Sequence, residues 1–155
     1  MLEINNIAPD FNITTTENTS IKLSSFNSKM VVVFFFPKAD TPGCTIEATN
    51  FSTASKDFSD LDTKLIGISK DDIATQLKFQ KKYNLTIQLG SDSNTKVCEQ
   101  YGVWKEKNMY GKKFYGIVRT TFLIDKNRKI INIWHKVKPK GHVEEVLSFL
   151  KQLKR

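Results

Sequence analysis

From Met30 the chain runs through Val31, Val32, Val33, Phe34, Phe35 and Phe36 without a polar interruption. A short unalternating run of β-branched and aromatic residues predicts a strand buried on both faces, as in a mainly parallel sheet. Pro37 ends the run, because it has no amide hydrogen to give a ladder. After a turn, Ala48, Phe51, Ala54 and Phe58 recur at helical spacing, which predicts one helix from Cys44 to Phe58 with Cys44 in its first turn. Leu65, Gly67 and Ile68 then predict a second strand, so strand, helix and strand form a βαβ unit with a right-handed crossover.

The flanking segments are more polar. Phe11–Thr14 and Thr19–Ile21 predict a small hairpin across Glu17-Asn18, followed by a helical turn over Lys22–Phe26, with apolar side chains covering a sheet edge. Asp71 or Asp72 caps a helix reaching Tyr83, with Ile73 and Leu77 on one face and Phe79 with Tyr83 on another. Ile87–Leu89 predicts a brief strand, and Asn94–Tyr101 a short helix ended by Gly102. Lys105–Tyr115 reads as a polar loop around Gly111. Val118–Ile124 and Ile130–Trp134 predict a hairpin, and Val143, Val146, Leu147, Leu150 and Leu153 a long amphipathic helix. A βαβ unit followed by a hairpin and a helix is the order of a thioredoxin-like α/β fold, a central mixed sheet flanked by helices, here with an N-terminal hairpin extension.

A chain of 155 residues suits one domain, residues 1–155. Hydrophobic residues at 39% and charged residues at 26% argue for a globular protein over a disordered one. The first eleven residues have neither the basic start nor the apolar run of a signal peptide, and no apolar run is long enough to span a bilayer, so a cytoplasmic protein without a membrane partner is expected. Charge is uneven. Residues 1–104 carry 10 basic and 12 acidic groups, residues 105–155 carry 14 and 4. A nucleic-acid or anion-binding module using this basic last third is the alternative from another functional class, but without stacking aromatics or a binding motif a solvated basic face is the simpler reading.

Two cysteines, Cys44 and Cys98, do not make a secreted disulfide framework. Cys44 follows Pro42-Gly43 at a helix start, where unpaired amides and the positive end of the dipole favour a thiolate and so a nucleophile. A dithiol exchanger needs a second cysteine three positions on, and that position holds Glu47. A peroxidase needs one thiolate and donors that tighten as charge moves to the departing oxygen. Lowering a thiol pKa from ~8.5 to ~6 gains only ~2 kcal/mol, so the rest must come from alignment and those donors. The amides of Gly43 and Cys44, the Thr41 hydroxyl and a guanidinium are suitable. His135 and His142 have no partner at ligand spacing, and no metal is expected.

Pro37, Thr41 and Cys44 match the Pro-x-x-x-Thr/Ser-x-x-Cys signature of the peroxiredoxins, and Thr41-Pro42-Gly43-Cys44-Thr45 with Glu47 resembles the bacterioferritin comigratory protein, or peroxiredoxin Q, branch. Ala8-Pro9-Asp10-Phe11, Tyr101-Gly102-Val103-Trp104, and Arg119 ahead of Thr121–Asp125 resemble the same branch in the same order. The resemblance implies a thiol-dependent peroxidase acting on hydrogen peroxide and organic hydroperoxides, with Cys44 as the attacking thiolate, Thr41 and Arg119 as donors and Pro37 as a shield from water. Each also has a plainer reading. Thr41 could be a turn residue, Arg119 part of the basic face, Pro37 a strand stop, and Glu47 a dipole partner in the first turn. The branch often carries a resolving cysteine five residues after the attacking one, and Thr49 stands there. Cys98 is the other thiol, grouped with Val97 and Tyr101 as a packing residue. A single-cysteine cycle without a cofactor is therefore expected, reduced by thioredoxin or a small thiol, in a monomer or weak dimer. A two-cysteine cycle through Cys98 is the alternative.

Overall fold

The computed structural model describes residues 1–153. Its strands are β1 (Asn12–Thr15), β2 (Ser20–Lys22), β3 (Met30–Phe35), β4 (Thr63–Ser69), β5 (Gln88–Ser91), β6 (Trp104–Met109), β7 (Lys112–Ile117), β8 (Thr120–Asp125) and β9 (Ile130–Trp134). Its helices are α1 (Pro42–Thr53), α2 (Ser55–Asp60), α3 (Ile73–Lys82), α4 (Lys96–Gln100) and α5 (His142–Leu153). Seven strands form one sheet in the order β2-β1-β5-β4-β3-β8-β9. β3, β4 and β5 run parallel, and β8, β9 and the N-terminal hairpin add antiparallel. This is the mixed thioredoxin-like sheet expected from the order of elements. No helix among the described residues is long and apolar enough to cross a membrane.

β3 lies between β4 and β8, and the absence of polar alternation in its sequence follows from cover on both faces. Alternate side chains point to opposite sides. Val31, Val33 and Phe35 join Phe11, Val97, Cys98, Tyr101 and Phe122 in one cluster. Val32, Phe34 and Phe36 join Cys44, Phe51, Phe58, Phe79 and Val146 in the other. The two cysteines thus lie on opposite sides of the central sheet. Phe34 stacks on Phe51 at 4.5 Å and Phe35 meets Tyr101 at 5.3 Å, so each side has its own aromatic contact with β3.

Four expectations need correction. The helix carrying Cys44 breaks at Ala54 (φ −91°, ψ 4°), where Ser52, Thr53 and Ser55 are weak helix formers. The change of direction brings Phe58 on α2 within 5.7 Å of Phe51, both fully buried. The N-terminal hairpin does not cover a sheet edge but extends it, β1 pairing with β5 through Thr14↔Ser91 and Thr15↔Gly90. The predicted loop at Lys105–Tyr115 is instead the β6–β7 hairpin, turning at Tyr110-Gly111 with φ of 53° and 76°. A two-residue turn with both φ positive suits a hairpin, and the strands lack an apolar face because most of their side chains are exposed. On α3 the buried residues are Gln76 and Phe79, with Ile73 and Leu77 only half-buried. The Gln76 amide nitrogen donates to Ser69 Oγ at 2.9 Å and to the Gly90 carbonyl at 2.8 Å, which offsets the burial of that nitrogen, while its Oε1 has no partner among the described residues.

Candidate active site

Thr41 is the N-cap of α1, Pro42 opens the helix and Cys44 is the third helical residue. No side chain among the described residues caps this end. The Thr41 hydroxyl instead donates to the Lys38 carbonyl at 2.7 Å, while the Thr41 carbonyl accepts from the Thr45 amide at 2.9 Å and the Thr45 hydroxyl at 2.8 Å. The first-turn amides of Gly43 and Cys44 therefore keep their attraction for negative charge. Pro37 is half-buried just past the end of β3, and Cys44 is 1% exposed.

Arg119 stands in the two-residue link between β7 and β8. Its Nη2 donates to Cys44 Sγ at 3.4 Å and its Nη1 to Glu47 Oε1 at 2.9 Å. One planar fork thus spans the sulfur and the carboxylate, a geometry lysine cannot copy. Gly43 makes this approach possible. A Cβ on Gly43 would sit 2.9 Å from Arg119 Nη2 and 3.4 Å from Pro139 Cγ. The Cys44 and Glu47 charges hold the Arg119 pKa above its ordinary value against the opposing effect of burial.

Glu47 is fully buried, and its Oε2 has no hydrogen-bond partner among the described residues. Burial pushes its carboxyl up to about 7, outweighing the Arg119 charge and hydrogen bond that pull the other way. His142, at the start of α5, is buried with Nε2 2.8 Å from Thr121 Oγ1 and its ring 5.9 Å from that of Trp134. Burial, opposed by Glu145, lowers its pKa and favours the neutral ring. His135 is exposed.

Two aspartates fix the loop before Cys44, a role that sequence reasoning missed. Asp71 Oδ2 accepts from the Ala39 amide and from Ser69 Oγ, both at 2.8 Å, so the helix cap falls to Asp72 alone. Asp40, at φ +62°, accepts from the Tyr83 hydroxyl at 2.6 Å and from Lys82 Nζ at 3.0 Å. The sequence signals Asp71 only as one of two possible caps, and a lone Asp40 in a polar turn carries no signal.

Cys98 sits apart from this group, on α4 under the other side of the sheet. Asp92 holds the start of α4 by accepting from the Val97 amide at 3.2 Å and the Cys98 amide at 2.7 Å. Burial first, then the Asp92 carboxylate, drive the Cys98 pKa far up and keep it a thiol.

Known proteins resemble this chain in sequence and fold over nearly its whole length. The model of the AhpC/TSA family matches residues 4–133. The putative peroxiredoxin bcp of Coxiella burnetii is 45% identical over 96% of this chain and 99% of its own length, and peroxiredoxin Bcp of Bacillus subtilis 42% identical over 98% and 97%. Among solved structures, a cysteine-to-serine mutant of PrxQ from Xylella fastidiosa superposes with a TM-score of 0.91 at 31% identity, covering 100% of both chains. With relatives matched from end to end, the chain belongs to the AhpC/TSA family as a peroxiredoxin of the Bcp, or peroxiredoxin Q, branch, a thiol-dependent peroxidase.

Proposed function

We propose that Cys44 reduces hydrogen peroxide and organic hydroperoxides in a single-cysteine cycle completed by an external thiol. The observation that carries the attack step is the Arg119 fork, 3.4 Å from Cys44 Sγ and 2.9 Å from Glu47 Oε1, at an uncapped helix start. The Cys44 thiolate attacks one peroxide oxygen, the O–O bond breaks, and the sulfur becomes a sulfenic acid. The departing alkoxide or hydroxide takes a proton and leaves as an alcohol or water. Arg119 and the first-turn amides stabilise the charge that develops on the oxygens, the Thr41 hydroxyl joins them only by turning its one proton away from the Lys38 carbonyl, and Pro37 and Gly43 close the site around them. An external thiolate then attacks the sulfenic sulfur and displaces water, and a second thiol releases Cys44 from the mixed disulfide.

The single-cysteine reading rests on the sheet between the two sulfurs. A disulfide needs α-carbons within ~7 Å. Cys44 and Cys98 belong to cores on opposite faces of β3, and Cys98 is held as a thiol beside Asp92. The reductant, thioredoxin or a small thiol, must come from a compartment that keeps thiols reduced, such as the cytoplasm. The cycle as proposed draws on no cofactor, and the reading keeps the chain a monomer or weak dimer. The basic last third needs no separate binding role.

The test is the intact mass after one equivalent of hydrogen peroxide, with peroxide consumption followed in parallel. A gain of about 16 Da on Cys44 is expected, and Cys44→Ser should abolish consumption while leaving the circular dichroism unchanged. A loss of about 2 Da would establish the two-cysteine cycle through Cys98, and consumption persisting in Cys44→Ser would refute the assignment of the nucleophile.

A further inference from the structure

The β6–β7 hairpin forms a sheet of its own, hydrogen-bonded to neither edge of the main sheet. Its register pairs Lys107 with Phe114 and Lys105 with Gly116. Alternation along the strands therefore puts Lys105, Lys107, Phe114 and Gly116 on one face. Every residue of β6 beyond Trp104 is exposed except Lys107, which is half-buried. Its stem leans along β7 to Gly116, where the ring of its partner Phe114 also lies, with Phe114 Cε2 3.5 Å from the position that a Cβ on Gly116 would take. Lys107 Cδ and Cε lie 3.4 and 3.6 Å from the position that a Cβ on Gly116 would take. That is two residues nearer to Ile117 and the link holding Arg119. The missing side chain of Gly116 is the track along which the lysine reaches towards the catalytic arginine.

The charges agree with the direction of the stem. Burial and the Arg119 charge push the Lys107 pKa below its ordinary value, and the Cys44 sulfur acts the other way. Among the described residues no carboxylate pairs with Lys107, its neighbour Glu106 being taken by Lys113 at 3.8 Å. Arg119 already has Glu47 as its carboxylate, so a second cation directed at it needs a counter-charge of its own. The Cys44 sulfur, already bound to Arg119, is the group its field reaches.

We propose that Lys107, laid across Gly116, is a positioning residue of the active site, a second cation that helps Arg119 hold negative charge at Cys44. It does not touch the sulfur; it acts on the thiolate, and on the charge moving to the departing oxygen, through space. The groups that set the field at Cys44 are then Glu47 on α1, Arg119 before β8, Lys107 on β6 and, acting on Arg119, His142 on α5. This inference rests on Cys44 being the attacking thiolate.

The experiment compares wild type, Lys107→Met, Lys107→Arg and Gly116→Val by the pH profile of Cys44 alkylation with iodoacetamide and by the second-order rate with hydrogen peroxide. Loss of the charge in Lys107→Met should raise the midpoint of the alkylation profile by about half a pH unit and slow peroxide reduction roughly threefold. Lys107→Arg should restore both. Gly116→Val keeps the charge but blocks the track, and should move the midpoint in the same direction as Lys107→Met; it also carries the test should Lys107→Met fail to fold. Superimposable profiles for wild type and both Lys107→Met and Gly116→Val overturn the proposal, as does a slow Lys107→Arg enzyme with an unmoved midpoint, which marks a purely structural residue. If wild type consumes no peroxide, the function proposed for Cys44 fails, whereas the alkylation profiles still report on Lys107.

Discussion

Replacing Glu47 by Gln removes an ionisable group from the core while keeping an oxygen for the Arg119 Nη1 bond. In the folded protein burial raises the Glu47 carboxyl from 4.5 to about 7. Below pH 4.5 the group is protonated whether the chain is folded or not. Between 4.5 and about 7 the unfolded chain has released the proton and the folded chain still keeps it, and above that range both are ionised. The folded state thus binds more protons inside the window, and stability must fall as pH rises through it. At about 1.4 kcal/mol per pH unit, the loss is about 3 kcal/mol. His142, whose pKa burial lowers, acts in the opposite sense and loses stability as pH falls below its ordinary 6.5. Its effect is common to both proteins and cancels in the difference. Urea unfolding at half-unit steps from pH 4 to 8.5, in a Cys44→Ser background so that no active-site thiol titrates, gives the stability of each. The Glu47 protein should lose about 3 kcal/mol relative to Glu47→Gln over that range. A difference that is flat within about 1 kcal/mol, or that grows in favour of Glu47 with pH, would refute the claim that burial outweighs Arg119 at this carboxylate.

Arg119→Lys keeps a positive charge but cannot span Cys44 and Glu47 with one planar group, so peroxide reduction should slow by roughly tenfold or more; a stopped-flow rate equal to wild type would return Arg119 to the basic face. Cys98→Ser should turn over within about twofold of wild type when a small thiol is supplied, because the residue lies under the far side of the sheet. Non-reducing peptide mapping of oxidised wild type should show no Cys44 to Cys98 bond, and recovery of that cross-linked peptide in high yield contradicts the single-cysteine cycle.

The legible parts of the fold are those where burial writes itself into the residue pattern. β3 is visible because both of its faces are covered, and α5 because one of its faces is, with Val143, Val146 and Leu150 buried at helical spacing. The β6–β7 hairpin escapes the pattern because its strands are largely solvent-exposed and carry no alternation to read. At the site, the cysteine turn is read from contiguous residues. The Arg119 contact with Glu47 joins positions 72 residues apart, and the Asp40 contact with Tyr83 joins positions 43 apart. Such contacts depend on where the sheet places its strand ends, which local pattern does not contain. Gln76 is hidden for another reason, since a buried amide looks like a surface residue until its partners, Ser69 and Gly90, are located.

The sheet between Cys44 and Cys98 also governs the fate of a molecule that has reacted once. Under the single-cysteine cycle, oxidising power cannot be parked inside the chain as a disulfide, so it stays on one sulfur until help arrives. While thiol is plentiful the wait is short and the protein returns to service. When thiol runs low and peroxide does not, the next peroxide meets a sulfenic acid, and the sulfinic product has no internal route back. Under that cycle the same wall that keeps the cores separate would make the protein a fuse, whose surviving active fraction records how supply of reductant compared with supply of oxidant.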